Sequence, residues 1–493
     1  MIKPCKIREI LKKTPNSAFT QWVNSKRLSD FARLMKILPY NTAASCHNFT
    51  SRAGLVVPAE LLKRLELSQL IDSSMPTPGS NRGYRHSAIF NTFMLMFHEG
   101  AGCIDDVRHL RSEPALMKLL GFGTIPCATT LGGWLHRVGD SRQMISVLEQ
   151  VNRAVMKATL GDRKCVTLDI DASAIRSKKK DAKWTYKKHR GYMPMFGHIA
   201  ETGQVAAAEL REGNVPPGAE NVEFFRRCRA ALPEGVGVTR FRADAASYQA
   251  GIINDCRAHG IRFAIRAKMD SAVKKTVLDI KDEDWNAVVN ADGAVLEGEY
   301  LARTLHVMED VPEAFCLVVQ KKRVRDKLPA DAGMPDGTEQ LKMVFKNEGL
   351  HQVDVQSAVS GRYIYRAIAT DLDLDRFSDG EIVWWYNQRG DSSENRLKEI
   401  RSDFSAAHLP CGEFKANVAY LLLSSIAFNL LALMRMKLPQ EWYGVRAISF
   451  RHRLYAMAGQ VVRHARQWTL KVSAAKLPVL EQSLWAIRRC SLS

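Results

Sequence analysis

The chain has 493 residues, enough for about two to four domains, and its 46% hydrophobic and 25% charged residues are typical of a folded protein rather than a disordered one. Lysine and arginine outnumber aspartate and glutamate by 71 to 52, a formal charge of +19, which favours a polyanionic partner, nucleic acid before an anionic membrane surface. The ten cysteines include no Cys-x-x-Cys pair, which argues against a zinc ribbon and favours a reduced, cytoplasmic chain.

The first third of the chain predicts helices. Residues 1–54 are polar and basic with weak periodicity, so we expect a partly ordered segment there. Residues 55–150 carry apolar side chains at helical spacing, beginning after Pro58, a residue favoured in the first turn of a helix. Two roles fit this helical region equally well: a DNA-binding unit, or a structural cap on the next domain.

The pattern changes to strands from residue 160 onward. Apolar runs predict strands at 165–172, 192–200, 204–211, 238–243 and 263–267, with helices at 220–231 and 246–260. A three-stranded meander, a helix and then strand-helix-strand is the order of the ribonuclease H-like fold. The sequence therefore predicts a mixed α+β protein with such a core, whose first part spans residues 160–270.

The rest of the chain predicts an interruption of that core. Residues 271–380 read as a β-rich insertion, 381–436 as the last part of the core, and 437–493 as a basic helical tail. The apolar stretch from Asn417 to Met434 is almost long enough to span a membrane, but its asparagines and serines favour a buried core helix.

Three aspartates lie at predicted strand ends. Side chains alternate along a strand, so Asp169 and Asp171 project from the same face of the first strand. Asp244 directly follows the fourth strand, at the carboxyl edge where open α/β sheets bind ligands. A solvated strand edge is the structural alternative for the first pair, since exposed aspartate is common.

A fourth acidic residue opens a predicted helix. Ser392 or Ser393 is a suitable N-cap, which places Glu394 in the first turn. Glu394, Lys398 and Arg401 then share one helix face at positions i, i+4 and i+7. That face combines a candidate metal ligand with two cations for phosphate, although a solvated ion pair between the first two would look the same.

The ordered motifs LDIDAS, GYMPMFG, ELREGN, RAD and YNQRGDSSENRLKEIRSDF resemble those of the DDE transposases of bacterial insertion sequences. Within these enzymes the chain is similar to the group whose third acidic residue is framed by a Tyr, Arg, Glu, Lys motif. The resemblance covers residues from about 55 to 470, and the last motif is its most specific part. It implies a ribonuclease H-like catalytic core interrupted by a β-rich insertion between the second and third acids.

The resemblance also implies a catalytic triad of acids. The first is Asp171, with Asp169 as the alternative; the second is Asp244, and the third is Glu394. Two departures stand out. Four residues separate Arg389 from Glu394 where the family usually has three, and Arg401 stands where a lysine is expected. We expect the extra residue to lie in a loop before the helix and to leave Glu394 in place.

Cofactor and DNA contacts follow from this triad. Asp171, Asp244 and Glu394 are expected to hold two Mg²⁺ ions, which Mn²⁺ can replace, for in-line phosphodiester chemistry. The residues expected to contact DNA are Tyr386, Arg389, Lys398, Arg401, Lys187, Lys188 and Arg190, with the run Lys178, Lys179 and Lys180 as further phosphate contacts and Trp184 and Tyr186 as stacking platforms. Recognition of the element ends is assigned to residues 55–140 and to a basic helix with Arg451, Arg453, Arg463 and Arg466.

The sequence thus predicts a DNA transposase that binds the terminal inverted repeats of a mobile element and catalyses metal-dependent DNA cleavage and strand transfer. Its expected partners are double-stranded DNA, both element ends and target, and a second copy of the chain on that DNA. No membrane association is expected, and the expected location is the cytoplasm, on the nucleoid. The alternative is a transposase-derived regulator that binds the same DNA without cutting it.

Overall fold

A computed structural model of the protein describes residues 48–77, 83–290, 293–323, 363–465 and 467–490. The predicted segment 1–54 therefore lies almost entirely outside the described residues. Arg466 and residues 324–362 also lie outside the described residues.

The described part opens with a short strand, β1 (Phe49–Thr50), and seven helices. These are α1 (Val56–Arg64), α2 (Leu67–Ser74), α3 (His86–Glu99), α4 (Val107–Arg111), α5 (Pro114–Leu120), α6 (Ala128–Asp140) and α7 (Arg142–Leu160). Ser141 caps the longest of them, because its side chain accepts a hydrogen bond from the Met144 amide at 3.3 Å. The helical nature of this region is as the apolar spacing predicts.

A mixed sheet follows. Its strands and the helices between them are β2 (Cys165–Ala172), β3 (Ile175–Arg176), β4 (Lys183–Trp184), β5 (Arg190–Tyr192), β6 (Met195–Ile199), β7 (Val205–Glu209), α8 (Asn221–Ala231), β8 (Gly237–Ala243), α9 (Ala250–Ala258) and β9 (Arg262–Arg266). The strand order is β7-β6-β2-β8-β9, with β2, β6 and β7 antiparallel and β8 and β9 parallel to β2. This is the meander followed by parallel strands that the sequence predicts, and the mixed α+β class is confirmed.

The predicted insertion extends this sheet. It contains α10 (Ser271–Leu278), β10 (Asn286–Val289), β11 (Val295–His306), β12 (Phe315–Arg323) and β13 (Tyr363–Thr370). Strand β13 pairs antiparallel with β9, and β12, β11 and β10 follow, so that nine strands form one sheet. The region is β-rich as expected, and its strands continue the core sheet; the domain boundaries themselves stay predictions.

The remaining elements are α11 (Asp379–Asn387), a π-helical turn at Gly390–Glu394, α12 (Asn395–Asp403), α13 (Phe414–Lys437), α14 (Ala447–Phe450), a second π-helical turn at Arg451–Tyr455, β14 (Gly459–His464), β15 (Gln467–Val472) and α15 (Leu477–Arg488). The predicted helical tail is therefore wrong in part, since β14 and β15 form a hairpin that pairs with β1. Arg463 lies on that hairpin, while Arg451 and Arg453 lie in the second π-turn rather than on a basic helix.

Helix α13 is the centre of the helical layer. Among the residues that the structure describes, it is the one helix long and apolar enough to cross a membrane, but 89% of its apolar window is buried inside the protein. It packs against α3, α6, α7 and β7. Asn429 of this helix accepts a hydrogen bond from the Val205 amide at 2.7 Å and donates to the Val205 carbonyl at 2.8 Å. The asparagine therefore satisfies the backbone of the outermost strand, β7, as expected for a buried core helix.

Candidate active site

Two aspartates lie side by side at the carboxyl edge of the sheet. In the parallel pair β2 and β8, Ile170 lies opposite Ala243, so the next residues, Asp171 and Asp244, are neighbours at the ends of adjacent strands. The Asp244 side chain accepts a hydrogen bond from the Ala246 amide at 3.1 Å, which fixes its orientation just beyond β8. The strand pairing thus brings the predicted first and second acids together.

Asp171 lies in a crowded electrostatic environment. Its side chain is 15% exposed, and Arg389 Nη2 lies 3.4 Å from its Oδ1 atom. Burial raises the pKa of the Asp171 carboxyl to about 7; the Arg389 guanidinium opposes that rise, and the carboxylates of Asp244 and Glu394 add to it. The Glu394 carboxylate is therefore part of the electrostatic environment of Asp171.

Asp169, the alternative first acid, lies deeper in the fold than Asp171. Its carboxylate is fully buried and accepts hydrogen bonds from Arg242 Nε at 2.7 Å and Nη2 at 2.8 Å. The Ser392 hydroxyl donates to the same carboxylate. Because both carboxylate oxygens are engaged by protein donors inside the fold, the structure favours Asp171 over Asp169 as the acid that faces the site.

The segment that carries Glu394 differs from the prediction. Neither Ser392 nor Ser393 is an N-cap, and no loop precedes the helix. Gln388 and Arg389, after the end of α11, keep right-handed helical backbone angles, and the π-turn at Gly390–Glu394 leads directly into α12. The Asn395 amide donates to the Gly390 carbonyl, five residues earlier. A π-turn accommodates one extra residue within a helix, and it is here that the four-residue spacing between Arg389 and Glu394 is absorbed.

The π-turn changes the relative direction of the Arg389 and Glu394 side chains. In a regular α-helix, with about 100° of rotation per residue, Glu394 would point about 140° away from Arg389. A turn closed by an i to i+5 hydrogen bond holds more residues per turn and so brings residues five apart nearer to the same face. The extra residue is therefore accommodated within a helical segment rather than in the expected loop, and the placement of Glu394 at the site stays a prediction.

Other residues of the motif make structural hydrogen bonds or lie at the rim of the site. The Tyr386 hydroxyl donates to the Ala243 carbonyl at 3.3 Å, next to Asp244. Arg401 Nη1 donates to the Ser173 hydroxyl at 2.9 Å, which connects α12 to the segment after β2. Lys398 is exposed on the same helix. Of the two predicted phosphate-binding cations on this face, Lys398 is thus the more accessible.

The Lys- and Arg-rich segment after β2, from β3 to β5, folds into a platform. Strands β3, β5 and β4 form a small sheet of their own. The Arg190 guanidinium donates to the backbone carbonyls of Lys179, Lys180 and Ala182, so the structure uses this predicted DNA contact internally. The Lys179 ammonium likewise donates to the backbone carbonyls of residues 409 and 411.

The tip of this platform is open. Trp184 and Tyr186 are 66% and 56% exposed, and the Lys187 ammonium lies 5.6 Å from the centre of the Tyr186 ring. Lys188 adopts a left-handed backbone conformation, with φ of 59°, at the turn. Burial raises the pKa of the Tyr186 hydroxyl, and the carboxylates of Asp244 and Asp171 add to that rise.

Three comparisons bear on the class of protein. Residues 41–490 match the model of the family described as transposase DDE domain group 1. No curated protein matches the sequence. Among solved structures, a cryo-electron microscopy structure of the piggyBac transposase synaptic complex with hairpin DNA is similar, with 10% identity and a TM-score of 0.39, over 90% of this chain and 84% of that chain.

The family match covers most of the chain, whereas the structural likeness is too low to support an argument. The chain therefore belongs to the DDE transposases, in the family called transposase DDE domain group 1. Transposition is thus its class of activity, and enzymes of this kind generally use divalent metal ions.

The acids suit such an ion in charge and chemistry. Carboxylate oxygens are the ligands that Mg²⁺ prefers. Burial is the main cause of the raised pKa of Asp171, and the carboxylates of Asp244 and Glu394 add negative charge that a cation would balance. Within the described ranges, however, no three His, Cys, Asp or Glu side chains are close enough to form a metal-ligand group. Arg389, beside Asp171, is the cation that the structure places there.

Sequence reasoning missed the residues that support the acids. Arg242 lies two residues before Asp244, and Asp169 lies two residues before Asp171, so the two strands carry matched pairs in register. His198, fully buried on β6, lies 3.4 Å from the Ser393 hydroxyl through Nδ1. The spacing of the charged residues on β2 and β8 was a visible signal, but only the parallel register shows that they meet.

Proposed function

We propose that this transposase cleaves the ends of a mobile DNA element and joins them to target DNA, with Asp171, Asp244 and Glu394 as its catalytic acids. The observation that carries the proposal is the position of Asp171 and Asp244 at the carboxyl ends of the adjacent strands β2 and β8, with Glu394 on the helical segment as the third acid. Burial is the main cause of the raised pKa of Asp171, and the carboxylates of Asp244 and Glu394 add to the rise.

The three carboxylates are the groups that would hold Mg²⁺, or Mn²⁺ in its place. Two bound ions would supply charge neutralisation at the phosphoryl group and a more acidic nucleophile. The chain's own contribution is to orient the acids: Arg389 holds Asp171, and Tyr386 anchors α11 to the end of β8.

The DNA is proposed to lie across the rim formed by the platform tip and α12. Lys187, Lys188 and Lys398 are exposed cations on that rim, suited to backbone phosphates. Trp184 and Tyr186 offer stacking faces for bases. A dimer on DNA, with one copy for each element end, and a location on the cytoplasmic nucleoid are part of the same proposal.

The test is cleavage of a plasmid that carries the element's own ends, with Mg²⁺, by the intact protein and by the variants Asp244→Asn and Glu394→Gln. The matched control is Glu481→Gln, which replaces a carboxylate by a carboxamide at an exposed position on α15. We expect both site variants to lose cleavage while they bind the ends in Ca²⁺ as the unaltered protein does, and the control to cleave normally.

Two outcomes would contradict the proposal. End binding without cleavage by the unaltered protein would favour the non-catalytic regulator. Cleavage that survives Glu394→Gln would mean that another residue is the third acid. Exchange of Lys187 and Lys188 for alanine tests the rim separately: it should weaken binding to all sequences alike and reduce the salt slope by about 0.9 for each phosphate that the protein no longer neutralises.

A further inference from the structure

A buried ion pair lies directly beneath the proposed acids. On β2 and β8, Asp169 and Arg242 are opposite each other in register, two residues before Asp171 and Asp244. Side chains two apart in a strand share a face, so the ion pair and the acids form two successive layers of one face. Asp169 is fully buried and Arg242 is 2% exposed, so this lower layer is shielded from solvent.

The lower layer reaches the helical segment opposite. Arg242 Nη2 donates to the Ser392 hydroxyl at 3.0 Å, and that hydroxyl donates to Asp169. Arg242 Nη1 donates to the Trp385 carbonyl, and its guanidinium lies 5.0 Å from the centre of the Trp385 ring. One arginine therefore contacts both α11 and the π-turn, and the hydroxyl of Ser392 completes a triangle with the ion pair.

Ser392 lies in the π-turn, two residues before Glu394, so its position affects where that acid points. Turns of this kind are rare and occur mostly as single turns inside α-helices, frequently at functional sites, so an isolated segment would favour the α-helical register. That register would rotate Glu394 away from Arg389. Contacts from outside the helix must therefore stabilise the turn.

We propose that Asp169, Arg242 and Ser392 are positioning residues that hold the π-turn against the ends of β2 and β8 and so aim Glu394 at the other two acids. The proposal rests on the proposed function, because it concerns the same site. In this proposal the Asp169 carboxylate holds the π-turn and is not a metal ligand, whereas Asp171 would hold the Mg²⁺ ion.

The primary test compares Ser392→Ala with Ser402→Ala. Both serines lie on the same helical segment, but the Ser402 hydroxyl is exposed and bonds to the Lys398 carbonyl at 2.9 Å within α12. Removal of one hydroxyl is small enough to leave the fold intact. We expect Ser392→Ala to lower kcat for end cleavage by about 10- to 100-fold, the usual effect of changing a residue that supports metal ligands, and Ser402→Ala to leave it unchanged.

Further measurements separate positioning from general destabilisation. Ser392→Ala should leave the KM for DNA ends and the thermal midpoint as they are, while it raises the Mg²⁺ concentration for half-maximal rate. Direct titration with Mn²⁺, followed by electron paramagnetic resonance without any DNA, should show weaker binding. Ser392→Thr keeps the hydroxyl and should restore the rate and the Mn²⁺ affinity.

Two results would overturn the positioning role. One is normal cleavage and normal Mn²⁺ affinity in Ser392→Ala; the other is a fall in thermal midpoint and end binding that matches the loss of rate. Asp169→Asn provides a second variant with the same expected kinetics. Glu394→Gln, measured in parallel, separates the two proposals: if it cleaves normally the catalytic assignment fails, whereas if it is inactive and Ser392→Ala is normal only the positioning role fails.

Discussion

The exchange Asn429→Ala should destabilise the protein strongly, although it only shortens one side chain in an apolar helix. Asn429 is fully buried on α13. Its side chain accepts from the Val205 amide at 2.7 Å and donates to the Asn152 side-chain oxygen at 2.7 Å. Strand β7 is the last strand on its side of the sheet, so the Val205 amide depends on this side chain for its hydrogen bond.

The expected magnitude follows from the groups left without partners. Alanine would leave the Val205 amide and the Asn152 oxygen buried and unpaired, whereas the Val205 carbonyl would keep the Asn152 amide donor at 3.0 Å. Each buried polar group that loses its partner costs about 1–3 kcal/mol, so the free energy of unfolding should fall by about 2–6 kcal/mol in total.

Equilibrium urea denaturation of the intact protein measures this loss. Ser425→Ala on the same helix is the control, because the Ser425 hydroxyl bonds only to the Leu421 carbonyl within α13, at 2.9 Å. Its removal leaves no group stranded and should change the free energy of unfolding by less than about 1 kcal/mol. Equal losses for the two variants would refute the view that Asn429 completes the edge of the sheet.

Two further predictions concern packing and pH. Gly139→Ala should destabilise the protein, because a Cβ atom there would lie 2.3 Å from the Lys415 carbonyl oxygen. Gly132→Ala in the same helix should stabilise it by up to about 1 kcal/mol, because a Cβ atom there meets nothing within 4 Å. The thermal midpoints of the two variants should therefore shift in opposite directions. Burial lowers the pKa of His98 to about 3, and the Arg451 guanidinium adds to that shift. Between pH 6.5 and 3 the unfolded state therefore binds a proton at His98 that the folded state does not bind. The contribution of this group to the free energy of unfolding is complete above pH 6.5 and falls as the pH decreases to 3, by up to about 1.4 kcal/mol per pH unit. His98→Phe should reduce that slope in urea denaturation across the same range, and an unchanged slope would contradict a buried, neutral histidine.

Local patterns were sufficient to predict the first part of the catalytic sheet. The run from Cys165 to Ala172 is apolar and β-branched, and β2 has those bounds in the structure. The pairing of β13 with β9 could not be predicted, because it joins residues about a hundred positions apart and no local pattern specifies such a register. The tail hairpin was missed although Val461, Val462 and Thr469 are residues typical of strands.

The candidate site was predictable in its acids but not in its supports. Asp171 and Asp244 follow from strand ends, which a sequence shows. The assignment of Asp169 to an internal ion pair required knowing that Arg242 lies opposite it. The π-turn was equally hidden, because one extra residue before Glu394 is as compatible with a loop as with a widened helix.

The π-turn has a consequence for anyone who compares this chain with others by alignment. Counted without a gap from Arg389, the position of the third acid falls on Ser393, so a fixed-spacing pattern would classify this copy as inactivated. Alignment methods usually discourage gaps inside helices, yet here the inserted residue lies within a continuous helical segment. Surveys that count intact and defective copies of such elements therefore need a gap permitted between Gly390 and Ser393.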